Sequence, residues 1–119
     1  MVRYTGIIQK GERRGAALGF PTANIPLEDA GVSGIYAAHV NVTGKEYKAA
    51  VYADRNRKLL EAHLLDFEGD LLGQKLELSF LEWLRPEQVF DSPSSLAKQI
   101  GEDIERVRLY HETFRNPRP

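Results

Sequence analysis

The most regular part of the sequence runs from residue 34 to residue 53 and reads GIYAAHVNV-TGK-EYKAAVYA. Residues 34–42 are rich in β-branched and aromatic side chains, which is typical of a strand. Residues 43–45, Thr-Gly-Lys, predict a turn, and residues 46–53 predict the returning strand. This hairpin indicates a fold built mainly from β-strands, and the rest of the chain is interpreted around it.

Three further stretches have the composition of strands. We expect a first strand over residues 4–9 and another over residues 75–83, where apolar and polar side chains alternate. Residues 59–67, LLEAHLLDF, are also a strand candidate. Both faces of this last stretch mix polar and apolar residues, so its periodicity alone also permits a helix.

The C-terminal third changes to a helical period. Ser92 followed by Pro93 predicts a helix start, because serine caps the free backbone N–H groups and proline suits the first helical position. Leu96, Ile100, Ile104 and Val107 then recur at helical spacing. We expect residues 112–119 to form a frayed tail. Strands followed by one helix predict a small antiparallel barrel with a helix packed on it.

Length and composition restrict the class of protein. The chain has 119 residues and a mass of 13.4 kDa, which predicts one domain over residues 1–119. Cysteine is absent, so disulfides and thiolate metal sites are excluded. We find no apolar run of membrane-spanning length and no signal peptide, and we expect a cytoplasmic monomer. A net charge of −1 argues against a protein that holds nucleic acid mainly through its phosphates.

A glycine-rich stretch at residues 11–25, GERRGAALGFPTANI, is the first candidate site. We expect a loop here, since the glycines and Pro21 disfavour a helix. Backbone N–H groups of such a loop can bind phosphate, and the alternative is an ordinary surface loop. Thr22 and Asn24 would point to the same side of an extended chain and offer neutral oxygens, which suit Mg²⁺. They could equally bond their own backbone in a turn.

Two further positions carry candidate chemistry. Glu61 lies in a leucine-rich stretch, where partial desolvation would suit a general base, although a solvent-facing glutamate is the alternative. Arg85 could pair with Glu87 or bind a phosphate through two nitrogens.

The aromatic residues Trp83, Tyr36 and Phe90 could stack on a flat ligand or belong to the core.

Several motifs together resemble the riboflavin kinases, or flavokinases. Residues 18–24, LGFPTAN, resemble the signature loop of that family, and residues 34–37, GIYA, resemble its GVYA segment. Residues 61–67, EAHLLDF, and 69–73, GDLLG, follow in the same order, and LRPE at 84–87 leads into the C-terminal helix. The resemblance covers roughly residues 4–110, and it is to the C-terminal kinase domain of bifunctional bacterial FAD synthetases.

The resemblance implies a six-stranded antiparallel Greek-key barrel with a C-terminal α-helix. It implies transfer of the ATP γ-phosphoryl group to the 5′-hydroxyl of riboflavin, giving FMN and ADP, with Mg²⁺. From the charge and the lack of an apolar run we expect no nucleic-acid and no membrane partner. By position, Glu61 would be the general base. The other implied positions are nucleotide and phosphate binding by Gly15, Gly19, Phe20, Pro21, Thr22 and Asn24, Mg²⁺ binding by Thr22 and Asn24, and a flavin-site border at Arg85, Phe90 and Leu96.

The sequence also departs from the family pattern. Residues 53–58, ADRNRK, replace a longer flap segment and are more basic, so that Arg55, Arg57 and Lys58 could contact a substrate phosphate. Ala16 replaces an arginine and Leu72 replaces a tyrosine. The adenylyltransferase domain of bacterial relatives has no counterpart here, so FAD synthesis is not expected. These departures leave open a non-catalytic barrel that binds flavin or nucleotide, and nucleic-acid binding by residues 12–14 and 55–58.

Overall fold

Six antiparallel strands and one helix make up the fold in the structure, a computed structural model that describes residues 3–9, 22–29, 31–67 and 69–114. The elements are β1 (Arg3–Ile7), β2 (Thr22–Pro26), β3 (Gly34–Val42), β4 (Lys45–Asp54), β5 (Leu59–Leu64), β6 (Lys75–Arg85) and α1 (Pro93–Phe114). This confirms the predicted six-stranded barrel with a C-terminal helix. No helix in the described part of the chain is long and apolar enough to cross a membrane.

The strands form one sheet in the order β1-β6-β3-β4-β5-β2, which curls until its edges nearly meet. Gln9, just beyond β1, donates its backbone N–H to the carbonyl of Asn24 at 2.8 Å and so joins the two edge strands. A Cβ at Gly6 would lie 3.0 Å from the Cβ of Ile25, so glycine allows β1 and β2 to approach closely. The barrel is therefore nearly closed.

The barrel wall has an apolar cluster on each side. Alternate residues of the strands fill the interior, among them Ile25, Leu60 and Leu78, which are fully buried. A second cluster lies between the outer face and α1 and contains Ile35, Ala37, Ala50, Leu65, Leu84 and Val107. Two of its sheet residues are alanines, and their small side chains leave space for the helix to pack closely. The outer face of β3 and β4 is thus covered as well.

The expectation of a loop over residues 11–25 is wrong for residues 22–25, which belong to β2. Thr22–Pro26 pairs with β5 along its whole length, and Ala23 and Ile25 point into the barrel interior. Long-range pairing with β5 and apolar burial outweigh the local turn preferences of proline, threonine and asparagine. Residues 10–21 lie outside the described residues.

Two other expectations need adjustment at their ends. The segment 59–67 is a strand and not a helix, because β5 is hydrogen-bonded to β4 on one side and β2 on the other. It ends at Leu64, and Asp66 then adopts a positive φ of 57°. The C-terminal helix includes residues 112–114, which we expected in a frayed tail, while residues 115–119 lie outside the described residues.

Side-chain contacts fix both ends of α1. The hydroxyl oxygen of Ser92 accepts a hydrogen bond from the backbone N–H of Ser95 at 3.1 Å, which confirms the predicted cap. Further along, the guanidinium of Arg108 donates to both carboxylate oxygens of Asp66 at 2.9 and 3.1 Å, and these hydrogen bonds lower the pKa of Asp66. Ser92 therefore caps the start of α1, and the contact between Arg108 and Asp66 joins the C-terminal half of the helix to the segment after β5.

Candidate active site

One row of residues crosses five strands of the sheet. Cross-strand register places Asn24 beside Glu61, Glu61 beside Tyr52, Tyr52 beside Ile35, and Ile35 beside Arg85. Residues directly opposite one another in an antiparallel pair share a face of the sheet. This cross-strand row therefore lies on the outer face, the side on which α1 packs, and brings together residues from distant parts of the sequence.

A cavity of about 100 Å³, counted as the space open to the centre of a water molecule, lies between this face and the start of α1. Four of the site residues expected from the resemblance line it, namely Glu61, Arg85, Phe90 and Leu96. The other lining residues are Ile35, Ala50, Val51, Tyr52, Arg57, His63, Glu87, Gln88, Ile100 and Asp103. The fold thus assembles the expected base and the expected flavin border around one cavity.

Glu61 contacts a guanidinium in the cavity wall. Its Oε2 accepts a hydrogen bond from Nη2 of Arg57 at 2.6 Å. The Nε of Arg57 donates to the Oδ2 of Asp54 at 2.5 Å. Two nitrogens of Arg57 therefore face carboxylates of the protein, which does not support the contact with a substrate phosphate that the sequence suggested for Arg57. Arg55 and Lys58, on the same turn, are exposed.

Arg85 forms a buried ion pair with the helix. Its Nε and Nη2 donate to the two carboxylate oxygens of Asp103 at 2.8 and 2.7 Å, and Gln99 donates to the same carboxylate at 3.1 Å. Of the two alternatives for Arg85, the ion pair is thus made with Asp103 and not with Glu87, and phosphate binding by Arg85 stays a prediction. Since β6 carries Arg85 and α1 carries Asp103, this bidentate pair fixes the helix above the cavity.

Tyr52 forms the part of the cavity wall between Glu61 and the β6–α1 connection. Its hydroxyl donates to Oε1 of Glu87 at 3.3 Å. Burial, together with the negative charges of Asp54 and Glu87, raises the pKa of Tyr52 to about 12. The hydroxyl is therefore protonated at neutral pH and acts as a hydrogen-bond donor.

Asn24 carries the strongest structural indication of a ligand contact on β2. The residue is 2% exposed, and its Oδ1 has no hydrogen-bond partner among the described residues. A buried amide oxygen without a partner is costly unless a further group binds it. The described residues contain no cluster of three or more His, Asp or Glu that could hold a metal. Neutral oxygens from Asn24 and Thr22 fit Mg²⁺, which keeps several waters and also binds substrate phosphates.

The remaining expected residues divide into two groups. Gly15, Gly19, Phe20 and Pro21 lie outside the described residues. Of the three aromatic candidates, Tyr36 stacks on Phe80 with 3.9 Å between the ring centroids, and both rings pack against the barrel interior. Trp83 is 52% exposed, and its Nε1 donates to the carbonyl oxygen of Ser33. Phe90 lines the cavity.

Sequence reasoning missed the carboxylate partners of both cavity arginines. The spacing in Asp54-x-x-Arg57-x-x-x-Glu61 is a usable signal, because a short turn between β4 and β5 brings all three side chains together. The pair between Arg85 and Asp103 joins residues eighteen apart and depends on how α1 packs, so no local pattern predicts it.

Comparison with known proteins agrees with this geometry. The family model Flavokinase, described as riboflavin kinase, matches residues 1–111. The chain belongs to the riboflavin kinase family. The RNA-binding riboflavin kinase RibR of Bacillus subtilis is 38% identical over 116 residues, which cover 90% of this chain and 50% of that protein. The bifunctional riboflavin kinase/FMN adenylyltransferase of Pseudomonas fluorescens is 33% identical over 115 residues, covering 89% of this chain and 37% of that protein.

The resemblance drawn from the sequence motifs is thereby confirmed. The chain spans half or less of the length of these curated relatives. Among solved structures, riboflavin kinase from Trypanosoma brucei superposes with a TM-score of 0.72 at 21% identity, covering 95% of this chain and 78% of that one. That similarity supports the barrel fold of this member of the family.

Proposed function

We propose that this chain is an ATP-dependent riboflavin kinase that transfers the γ-phosphoryl group to the riboflavin 5′-hydroxyl and produces FMN and ADP. The observation that carries the proposal is the position of Glu61. Its carboxylate lies in the wall of the cavity bordered by Arg85, Phe90 and Leu96, one strand away from Asn24. A base beside both a flavin border and a phosphate-binding strand is the arrangement this transfer needs.

In the proposed step Glu61 accepts the proton of the riboflavin 5′-hydroxyl. The hydroxyl oxygen forms a bond to the γ-phosphorus, and the bond from that phosphorus to the β–γ bridging oxygen breaks. The bridging oxygen leaves with the electron pair as part of ADP, and Glu61 afterwards releases its proton to water. Because phosphoryl transfer depends mainly on positioning and charge neutralisation, one well-placed carboxylate is a sufficient base.

The nucleotide side of the proposed site is formed by β2 and the residues before it. Thr22 and Asn24 would hold Mg²⁺ through their side-chain oxygens, and Gly15, Gly19, Phe20 and Pro21 would contact the phosphates. Mg²⁺ supplies positive charge that offsets the charge of the phosphate oxygens. Asn24 would contribute a neutral oxygen held in a buried position.

The proposal is tested by incubating the protein with riboflavin and Mg-ATP and separating FMN from riboflavin. The wild type is expected to produce FMN. Glu61→Gln is expected to lower kcat by about 10²- to 10⁴-fold, the usual contribution of a general base, with nucleotide binding retained. Glu77→Gln, a change of an exposed glutamate on β6, serves as the matched control and is expected to keep full activity.

Two results would contradict the proposal. If the wild type forms no FMN at high enzyme concentration and long times, the kinase assignment fails. If Glu61→Gln turns over at the wild-type rate, Glu61 is not the base.

A non-catalytic flavin- or nucleotide-binding barrel is the second candidate function. It is favoured by the contact between Arg57 and the Oε2 of Glu61, since a carboxylate held by an arginine can serve as a purely structural group. In that case riboflavin fluorescence is quenched on titration with the protein while no FMN forms. Turnover with Mg-ATP rejects this candidate.

The absence of a nucleic-acid partner stays a prediction, although the Bacillus subtilis relative is named for RNA binding.

A further inference from the structure

We propose that Arg57 is a positioning residue that holds the carboxylate of Glu61 in the cavity wall, and that Asp54 anchors it there. The inference rests on the proposed kinase function. It concerns residues 55–58, the short turn between β4 and β5.

Asp54, the last residue of β4, anchors the arginine. Its Oδ1 accepts the backbone N–H of Arg57 at 3.1 Å, and its Oδ2 accepts the side-chain Nε at 2.5 Å. The Asp54 side chain is only 5% exposed. One buried carboxylate thus fixes both the backbone and the side chain of Arg57, which removes much of the rotational freedom of a long side chain.

The anchored guanidinium also contacts Glu61. Nη2 donates to Oε2 of Glu61 at 2.6 Å, in a region where the Arg57 side chain is 27% and the Glu61 side chain 12% exposed. Charge-assisted hydrogen bonds in partly buried surroundings are short and directional. This contact fixes the position of Oε2 relative to the cavity. The geometry therefore orients the base.

The spacing of Asp54, Arg57 and Glu61 along the chain lets the short turn bring Arg57 to both carboxylates. Arg57 follows Asp54 by three residues and precedes Glu61 by four. Asp54 and Glu61 are fixed by the pairing of β4 with β5, so their separation is set by the sheet. The four-residue turn between the two strands, in which Lys58 has a positive φ of 56°, places Arg57 between the two carboxylates.

The test uses Arg57→Met, which keeps a long apolar stem and removes the charge. We expect kcat to fall by about 10- to 100-fold, with KM for riboflavin and ATP changed less than about threefold, because misplacing a catalytic group slows the chemical step. Arg57→Lys is expected to recover part of the lost kcat. Arg106→Met, which removes an exposed guanidinium from α1, is the matched control and is expected to leave kcat unchanged.

Action through Glu61 is tested in a double-mutant cycle. In a Glu61→Gln background, Arg57→Met is expected to change the residual rate less than about twofold, since the group it positions has already been removed. Asp54→Asn retains an acceptor for Arg57 and is expected to lower kcat less than Arg57→Met does. Asp54→Asn is measured as a second variant because it changes the anchor of Arg57 and leaves Arg57 itself in place. The rates of all variants are compared at a temperature below the melting temperature of each.

The outcomes separate the two proposals. If the wild type forms no FMN, the kinase function fails and the positioning role fails with it. If the wild type is active but Arg57→Met keeps its kcat, or gains activity, only the positioning role is overturned, and a gain would identify Arg57 as an inhibitory latch. An equal loss in the wild-type and Glu61→Gln backgrounds shows that Arg57 acts independently of Glu61 and also overturns the proposal.

Discussion

At the scale of single residues, the ion pair between Arg85 and Asp103 constrains how α1 packs beside the cavity. The Asp103 side chain is 5% exposed and the Arg85 side chain 14% exposed, so neither charge can be solvated well if its partner is lost. A buried ion pair adds little over an apolar pair, but breaking it leaves an uncompensated charge. The pair is thus a strong constraint on how α1 packs, whatever its net contribution to stability.

We therefore expect Asp103→Ala to lower the free energy of unfolding by about 3 kcal/mol or more, measured by urea denaturation. Asp103→Asn, which keeps one oxygen acceptor, is expected to cost less. The control is Glu102→Ala, an exposed position on the same helix, with an expected change within about 0.5 kcal/mol. Equal losses at positions 102 and 103 would contradict this role for the Arg85–Asp103 pair.

At the scale of elements, the start of β3 depends on a glycine. Gly34 has φ of +100°, and a Cβ there would lie 2.6 Å from Nε1 of Trp83 and 2.7 Å from the carbonyl oxygen of Arg85. The register between β3 and β6 shifts just after this point, between Ile35 and Tyr36. Glycine is therefore required both by the backbone conformation and by the close approach of β6.

Gly34→Ala is expected to destabilise the fold by about 3 kcal/mol, because backbone strain and steric overlap add together. Gly44 provides a matched comparison, since its φ is +92° but a Cβ there would meet no atom within 4 Å. Gly44→Ala is accordingly expected to cost only about 1 kcal/mol, the strain alone. Thermal unfolding of both variants measures the difference, and similar losses would show that the contact with β6 is unimportant.

At the scale of the whole molecule, stability should depend on pH through His111 on α1. Its Nε2 lies 3.3 Å from the carbonyl oxygen of Ala38 on β3. Burial lowers the pKa of His111 below the ordinary value of 6.5, the contact with Ala38 acts in the opposite direction, and the nearby charges of Lys48 and His39 lower it further. The ring of Tyr110 packs edge-on against the imidazole.

The direction of this pH dependence follows from how many protons the folded and unfolded states bind. Between the lowered pKa of the folded state and 6.5, the unfolded chain binds more protons at this position, so the free energy of unfolding falls as the pH falls. The contribution is fully present above pH 6.5. Urea unfolding at pH near 7.5 and near 5.5 is expected to show a smaller loss for His111→Gln than for the wild type. Equal pH dependence in the two proteins would contradict the assignment.

The sequence predicts the parts of the fold that local composition specifies. Residues 34–53 are predicted correctly as a hairpin because both strands carry β-forming side chains around a Thr-Gly turn. The local sequence does not predict β2, because this strand depends on pairing with β5, far along the chain. In the site, family motifs predicted Glu61 and Arg85, whereas their partners depend on a turn shape and on helix packing that no motif contains.

The cross-strand row also bears on how this chain can tolerate changes in length. Asn24, Glu61, Tyr52, Ile35 and Arg85 owe their alignment to hydrogen-bond register, and a slip of one residue would turn the side chains of a strand to the opposite face. The turn at residues 55–58 lies beyond the last β4–β5 pair, Asp54 with Leu59. We expect a single-residue deletion in this turn to leave these register pairs in place, although it would displace Arg57. A single-residue deletion in β5 before Glu61 is expected to turn the Glu61 side chain away from the cavity.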